Sequence, residues 1–182
     1  MGPIEILFLV IFLFFLFVAL VRGYERELGV TTLIFVALFI ITFFGQKYVP
    51  LALRYLTQLL NRPPFDNRTT QHILSLTFSI FFILVLFSSY AGDTFSFKGK
   101  LKRGPNAVVL DLLIGALNGY LVAGSLWYFQ DFYEYPFADT GLLILPLRPP
   151  AEAFANYLPP YVAPPMFWAG MVMVLMLLRV RK

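Results

Sequence analysis

The chain has 182 residues, 59% hydrophobic and 13% charged, with a mean hydropathy of +0.77, whereas a soluble domain carries roughly 45 to 50% apolar and about 25% charged residues. A water-soluble fold of this size could not cover so much apolar surface, so lipid is the solvent for much of it. The formal charge of +4 comes from basic residues scattered in short loops and at the carboxyl end, with no patch for nucleic acid, and the lack of cysteine excludes disulfides, thiolate metal sites and thiol nucleophiles.

The first apolar run, Ile4 to Val21, is long enough to cross a bilayer core. It lacks a basic leader and a small-x-small cleavage site, so it reads as a retained helix, with Glu5 complementing the dipole at its amino end. Arg22 and Arg26 mark a tight turn, and a second span from Leu28 to Phe44 completes a helical hairpin. Lys47 to Leu60 places Lys47, Arg54, Gln58 and Asn61 on one face and Val49, Leu53, Leu56 and Leu60 on another, the pattern of an interfacial amphipathic helix stopped by Pro63 and Pro64.

A third span, His72 to Ala91, carries Ser75, Ser79, Ser88 and Ser89 among Phe, Ile and Leu. A loop with Lys98, Lys100, Lys102 and Arg103 leads to a fourth span, Asn106 to Trp127. From Gln130 to Pro165 the chain is rich in proline and tyrosine and holds Asp131, Glu134, Asp139 and Glu152 against Arg148, which predicts a surface loop with one short helix at Ala151 to Tyr157. The last apolar run, Met166 to Leu178, is short for a span and crosses only if Arg179, Arg181 and Lys182 snorkel or the bilayer thins.

The predicted fold is thus all-α: a polytopic transmembrane helical bundle of four core spans and a short fifth, with an interfacial amphipathic helix between spans two and three. Residues 1–129 form a four-helix membrane domain, 130–165 an outer loop, and 166–182 the fifth helix and basic tail. An outside amino terminus puts nine basic residues inside and five outside, which favours that orientation and a cytoplasmic carboxyl terminus. Trp127 and Trp168 then fit one aromatic belt on the outer face.

The fourth span holds the densest signal. Asp111, Gly115, Gly119 and Ala123 recur every four residues, so a helix stacks them on one face, with Ala116 and Gly124 beside it. Such a face lets a second backbone approach closely, inside the same chain or in a dimer. Asn118 adds an amide that needs a partner. Asp111 is an ionisable group in a span and therefore a candidate relay, but its place near the helix start also suits capping of backbone amides, or an ion pair with Arg22 or Arg26. An enzyme lacks its pieces: His72 stands alone at the mouth of a span, and the one conceivable aspartyl pair, Asp93 with Asp111, flanks the basic loop. No phosphate loop or haem-binding histidine pair occurs, so no cofactor and no metal is indicated.

Two blocks carry a family resemblance. Arg22-Gly23-Tyr24-Glu25-Arg26-Glu27-Leu28, leading directly into the second helix, and Asp111-Leu-Leu-Ile-Gly115-Ala116-Leu-Asn118-Gly119-Tyr-Leu-Val-Ala123-Gly124, similar to an Asp-x-x-x-Gly-Ala-x-x-Gly pattern, resemble the colicin V production protein family (CvpA type) of bacterial inner-membrane proteins. The resemblance covers roughly residues 4 to 129, and the proline- and tyrosine-rich loop and fifth run extend past the family's four-helix pattern. It implies a multi-pass plasma-membrane protein, linked to production or export of a peptide toxin and to envelope upkeep, without catalytic residues. A related domain anchors some periplasmic serine proteases, which suggests a scaffold. The family marks are Arg22, Gly23, Arg26, Glu27, Asp111, Gly115, Ala116, Gly119 and Gly124.

The expected function is a non-enzymatic accessory or scaffold protein whose partners are the lipid bilayer and other membrane proteins or a second copy, not nucleic acid. The alternatives are a small channel or carrier using Asp111, Asn118 and the serines of the third span, and an accessory subunit of a larger membrane complex.

Overall fold

The computed structural model describes residues 4–91, 105–140 and 143–180. The readings of Asp93, of the basic loop with Lys98, Lys100, Lys102 and Arg103, and of Arg181 and Lys182 lie outside the described residues. Among those residues there is no strand, and four helices are long and apolar enough to span a membrane.

Helix α1 (Ile4–Arg22) and helix α2 (Tyr24–Phe39) are separated by Gly23 alone. Gly23 sits at φ 84° and ψ 150°, a conformation essentially restricted to glycine, and this single residue turns the chain back on itself. Helix α2 does not end where the amphipathic segment begins. A π-helical turn, Ile40–Gly45, joins it to α3 (Gln46–Leu59) as one rod of 36 residues. The two predicted elements are therefore continuous, because a π-turn absorbs an extra residue without breaking the helix. Gly45 permits it locally, since a Cβ there would lie 2.8 Å from the Phe78 ring. Helix α3 leaves Leu51, Leu56 and Leu59 exposed, as a helix lying against a lipid interface would.

Helix α4 (Asn67–Ala91) starts five residues before the predicted third span, because Asp66 accepts the Thr69 backbone N–H at 3.1 Å and caps it. The hydrogen bonds from Thr69 hold the Asp66 carboxyl below the usual carboxylate range. Helix α5 (Pro105–Phe132) runs antiparallel to α1: Gly115 lies by Ala19 and Gly119 by Phe12, while Trp127 meets Phe8. Helix α2 is the centre, with α5, α4 and α8 (Pro165–Val180) packed around it. Leu38 and Phe129 are wholly buried in this core, whereas Phe14 and Phe17 of α1 are about 60% exposed and face outward.

The described residues of 130–165 include the expected short helix, but they do not all lie at the surface. A 3₁₀ turn (Pro136–Thr140) is followed by α6 (Pro149–Ala155) and α7 (Pro159–Val162), and Leu158 between the two helices is wholly buried. The Pro159 ring occupies the space that a Cβ on Gly124 would need, and the Tyr120 hydroxyl donates to the Tyr157 carbonyl. Gly124 and Tyr120 stand eight and twelve residues before the end of α5, about 12 and 18 Å down the helix. The chain thus dips back into the bundle before α8 begins. That dip accounts for the short fifth helix: its 16 residues cover only about 24 Å, but they start partway down, with Trp168 stacked on Phe35 of α2.

The aromatic belt needs correcting for the same reason. Trp127 and Trp168 are both 3% exposed, so their indoles fill the protein interior and do not ring its outer edge.

Candidate functional site

The polar residues of the bundle gather at the end where Gly23 turns the chain. Because Gly23 interrupts the helix, the amide of Tyr24 has no carbonyl partner from α1, and Asp111 supplies one: its Oδ1 accepts the Tyr24 N–H at 2.6 Å. This contact joins residues 87 apart in sequence. It differs from the expected ion pair of Asp111 with Arg22 or Arg26. Arg26 is exposed and makes no salt bridge among the described residues, while Arg22 turns to Glu27.

One helical turn deeper, Glu27 is wholly buried. Its carboxylate is enclosed from three neighbouring helices. From α1, Arg22 Nε lies 3.5 Å from Oε1; from α4, the Tyr90 hydroxyl donates to Oε2 at 3.0 Å; from α5, Asn118 Nδ2 donates to the same oxygen at 3.0 Å. Asn118 Nδ2 also lies 3.2 Å from the Glu27 backbone carbonyl, and its Oδ1 accepts from the Thr31 hydroxyl at 2.7 Å. The Arg22 guanidinium stands 4.4 Å above the Tyr90 ring, whose other neighbour is Phe15. A phenol and an amide donate to one oxygen of the carboxylate while an arginine pairs in charge with the other, which answers much of what a buried carboxylate requires.

The small-residue face of α5 meets α1. A Cβ added at Gly115 would lie 2.7 Å from the Ala19 Cβ, and one at Gly119 would lie 2.7 Å from the Phe12 carbonyl oxygen, so the two backbones pass in contact. Ala123 is buried, Ala116 is half-buried, and Gly124 makes room for the dipping segment and not for α1.

Thr31 and Tyr90 belong to the site although the sequence reading did not name them. Thr31 sits beside Thr32 where α2 turns apolar, and Tyr90 resembles an ordinary interfacial aromatic at the end of a span. Only a buried acceptor across the bundle gives either a role.

The opposite end is polar in a milder way. Asp131 accepts from the hydroxyls of Tyr135 (2.7 Å) and Tyr161 (2.8 Å), Trp127 Nε1 donates to Tyr135, Gln46 to Tyr128 and Gln130 to Ser75. Burial pushes the Tyr135 phenol up from its ordinary value. His72 packs edge-on against Phe137. Among the described residues no group of three His, Asp or Glu side chains is placed to hold a metal ion. Comparison with family models, with curated proteins and with solved structures returns no match.

Proposed function

We propose that this chain is a non-catalytic scaffold of the colicin V production type in the bacterial inner membrane, with an outside amino terminus and a cytoplasmic carboxyl terminus. Its role is then to hold other membrane proteins, or further copies of itself, in toxin export and envelope maintenance. One observation carries the reading. The two sequence blocks that resemble the family, 22–28 and 111–124, meet in space: Asp111 caps Tyr24, and Asn118 grips Glu27. Arg22 pairs with Glu27 within the same junction, as members of a structural joint do, and the face left over on α1 is apolar and exposed.

The test is complementation. Bacteria lacking their own CvpA-type protein should regain colicin V production when this chain is expressed, and Glu27→Ala should remove the rescue along with the assembled protein. Failure of the well-expressed wild-type chain to rescue would count against the family reading. Photoreactive side chains at Phe14 or Phe17 should give discrete protein adducts in native membranes; adducts with lipid alone would refute the scaffold.

A second reading, a small channel or carrier, draws on the same carboxylate. Beside Asn118 of the expected polar path, Glu27 is an ionisable group wholly buried in the protein in the first turn of α2, and its Oε1 has an ion pair but no hydrogen bond. Proteoliposomes separate the two readings. Ion or proton flux that Glu27→Gln abolishes favours the carrier, and no flux from the wild type removes it. The third reading, an accessory subunit of a larger complex, requires a stable partner that co-purifies in mild detergent.

A further inference from the structure

A cavity of about 610 Å³ lies between the amino-terminal half of α1, the middle of α4 and the carboxyl-terminal half of α5. Its walls are apolar, formed by Leu7, Phe8, Ile11 and Trp127 among others, and broken by two polar side chains, Ser79 and Gln130. Its size falls within the range of about 300 to 1,000 Å³ typical of small-molecule sites.

Two features of the wall are unexplained by the fold. Ser79 Oγ and Gln130 Oε1 are both buried atoms without a hydrogen-bond partner among the described residues. The amide nitrogen of Gln130 donates to Ser75 Oγ at 3.0 Å, which leaves Oε1 as the acceptor without a partner. Other serines of α4 satisfy themselves locally: Ser88 and Ser89 donate to carbonyls three residues back. Ser79 does not. A buried polar group left unpaired is unfavourable, so two of them in one cavity wall specify what the cavity is shaped to receive.

We propose that the cavity binds one hydrocarbon chain of a neutral, hydroxyl-bearing membrane lipid, whose hydroxyl donates to Gln130 Oε1 and accepts from Ser79 Oγ. Three observations select that occupant. The ligand needs a donor, because an amide oxygen only accepts. Among the described residues no lining side chain is charged, so a phosphate headgroup finds no counter-ion among them. Access is sideways from the bilayer, because the lining residues Ile6, Leu7 and Val10 are each more than half exposed on the apolar face of α1.

The experiment offers the full chain in mild detergent two lipids with the same tail: monooleoylglycerol, which carries hydroxyls, and methyl oleate, which has none. Native mass spectrometry then counts the retained molecules. The wild type should retain monooleoylglycerol with a preference of about ten-fold, the ratio that about 1.4 kcal/mol confers. Ser79→Val breaks no existing hydrogen bond and should leave the protein folded while shrinking that preference several-fold; Gln130→Met should shrink it too. Equal retention of the two lipids, retention of neither, or an unchanged preference in Ser79→Val would each overturn the proposal.

Discussion

Helix α5 holds its two main neighbours by opposite means. Against α1 it offers bare backbone at Gly115 and Gly119, and the attraction is dispersion between surfaces in contact. Against α2 it offers the Asn118 amide, which donates to Glu27 and accepts from Thr31 in the protein interior. The first interface is limited by space and the second by pairing. An added atom should therefore damage the α1 side most, and a deleted donor or acceptor the α2 side.

The largest effect is expected at Gly119. Its missing Cβ would stand 2.7 Å from the Phe12 carbonyl oxygen and 3.1 Å from the Phe12 Cα, and neither backbone atom can rotate away. Gly119→Leu should push α1 off the bundle and abolish the monodisperse species in gel filtration, beyond the usual overpacking cost of about 1 to 3 kcal/mol. Gly115→Leu should do nearly as much against Ala19 and Leu16. A wild-type elution profile for both would show that α1 does not depend on this face.

Glu27→Ala comes next. It leaves Arg22, Tyr90 and Asn118 pointing donors at nothing, a loss in the range of about 3 to 5 kcal/mol for a broken buried pair. Equilibrium unfolding in detergent should read it directly. A smaller step is Tyr90→Phe, which removes one hydrogen bond to Glu27 Oε2 but keeps the ring beneath Arg22 and beside Phe15. Interhelical hydrogen bonds in membranes average about 0.6 and reach about 1.7 kcal/mol, so Tyr90→Phe should fall within that span. A Tyr90→Phe loss as large as that of Glu27→Ala would mean that the phenol, and not the carboxylate, organises the junction.

This ordering also shows why the sequence was legible on one side and not on the other. Helices, spans and the small-residue ladder follow from hydropathy and a four-residue repeat, which are local properties of the chain. The glycine face of α5 could therefore be read directly, though not that α1 would be its neighbour. Partner choice among polar groups is non-local. Asn118 was legible as an amide in need, but Glu27 and Thr31 lie on another helix and Tyr90 on a third. For Asp111 the sequence allows amide capping or an arginine pair, but it does not show which amide is capped, because the free Tyr24 amide exists only once Gly23 has broken the helix. The dip at 149–164 was missed for a similar reason. Proline density forbids long helices but does not say on which side of the interface short ones settle, and it is Leu158, in a stretch that reads as loop, that carries the burial.

Asp111 provides the finest discrimination between pairing by charge and pairing by geometry. The Tyr24 amide needs an acceptor oxygen in the right place, and asparagine keeps one. Asp111→Ala removes the acceptor and should cost about 1 kcal/mol, the typical value for a lost helix cap. If position rather than charge matters, Asp111→Asn should recover most of that loss. The comparison is best made by hydrogen exchange at the start of α2, because the effect is confined to the first turn that follows Gly23. Equal losses in the two variants would instead place the negative charge in command, through an attraction to the basic side chains at this end of the bundle, and would return Arg22 or Arg26 to the role of its partner.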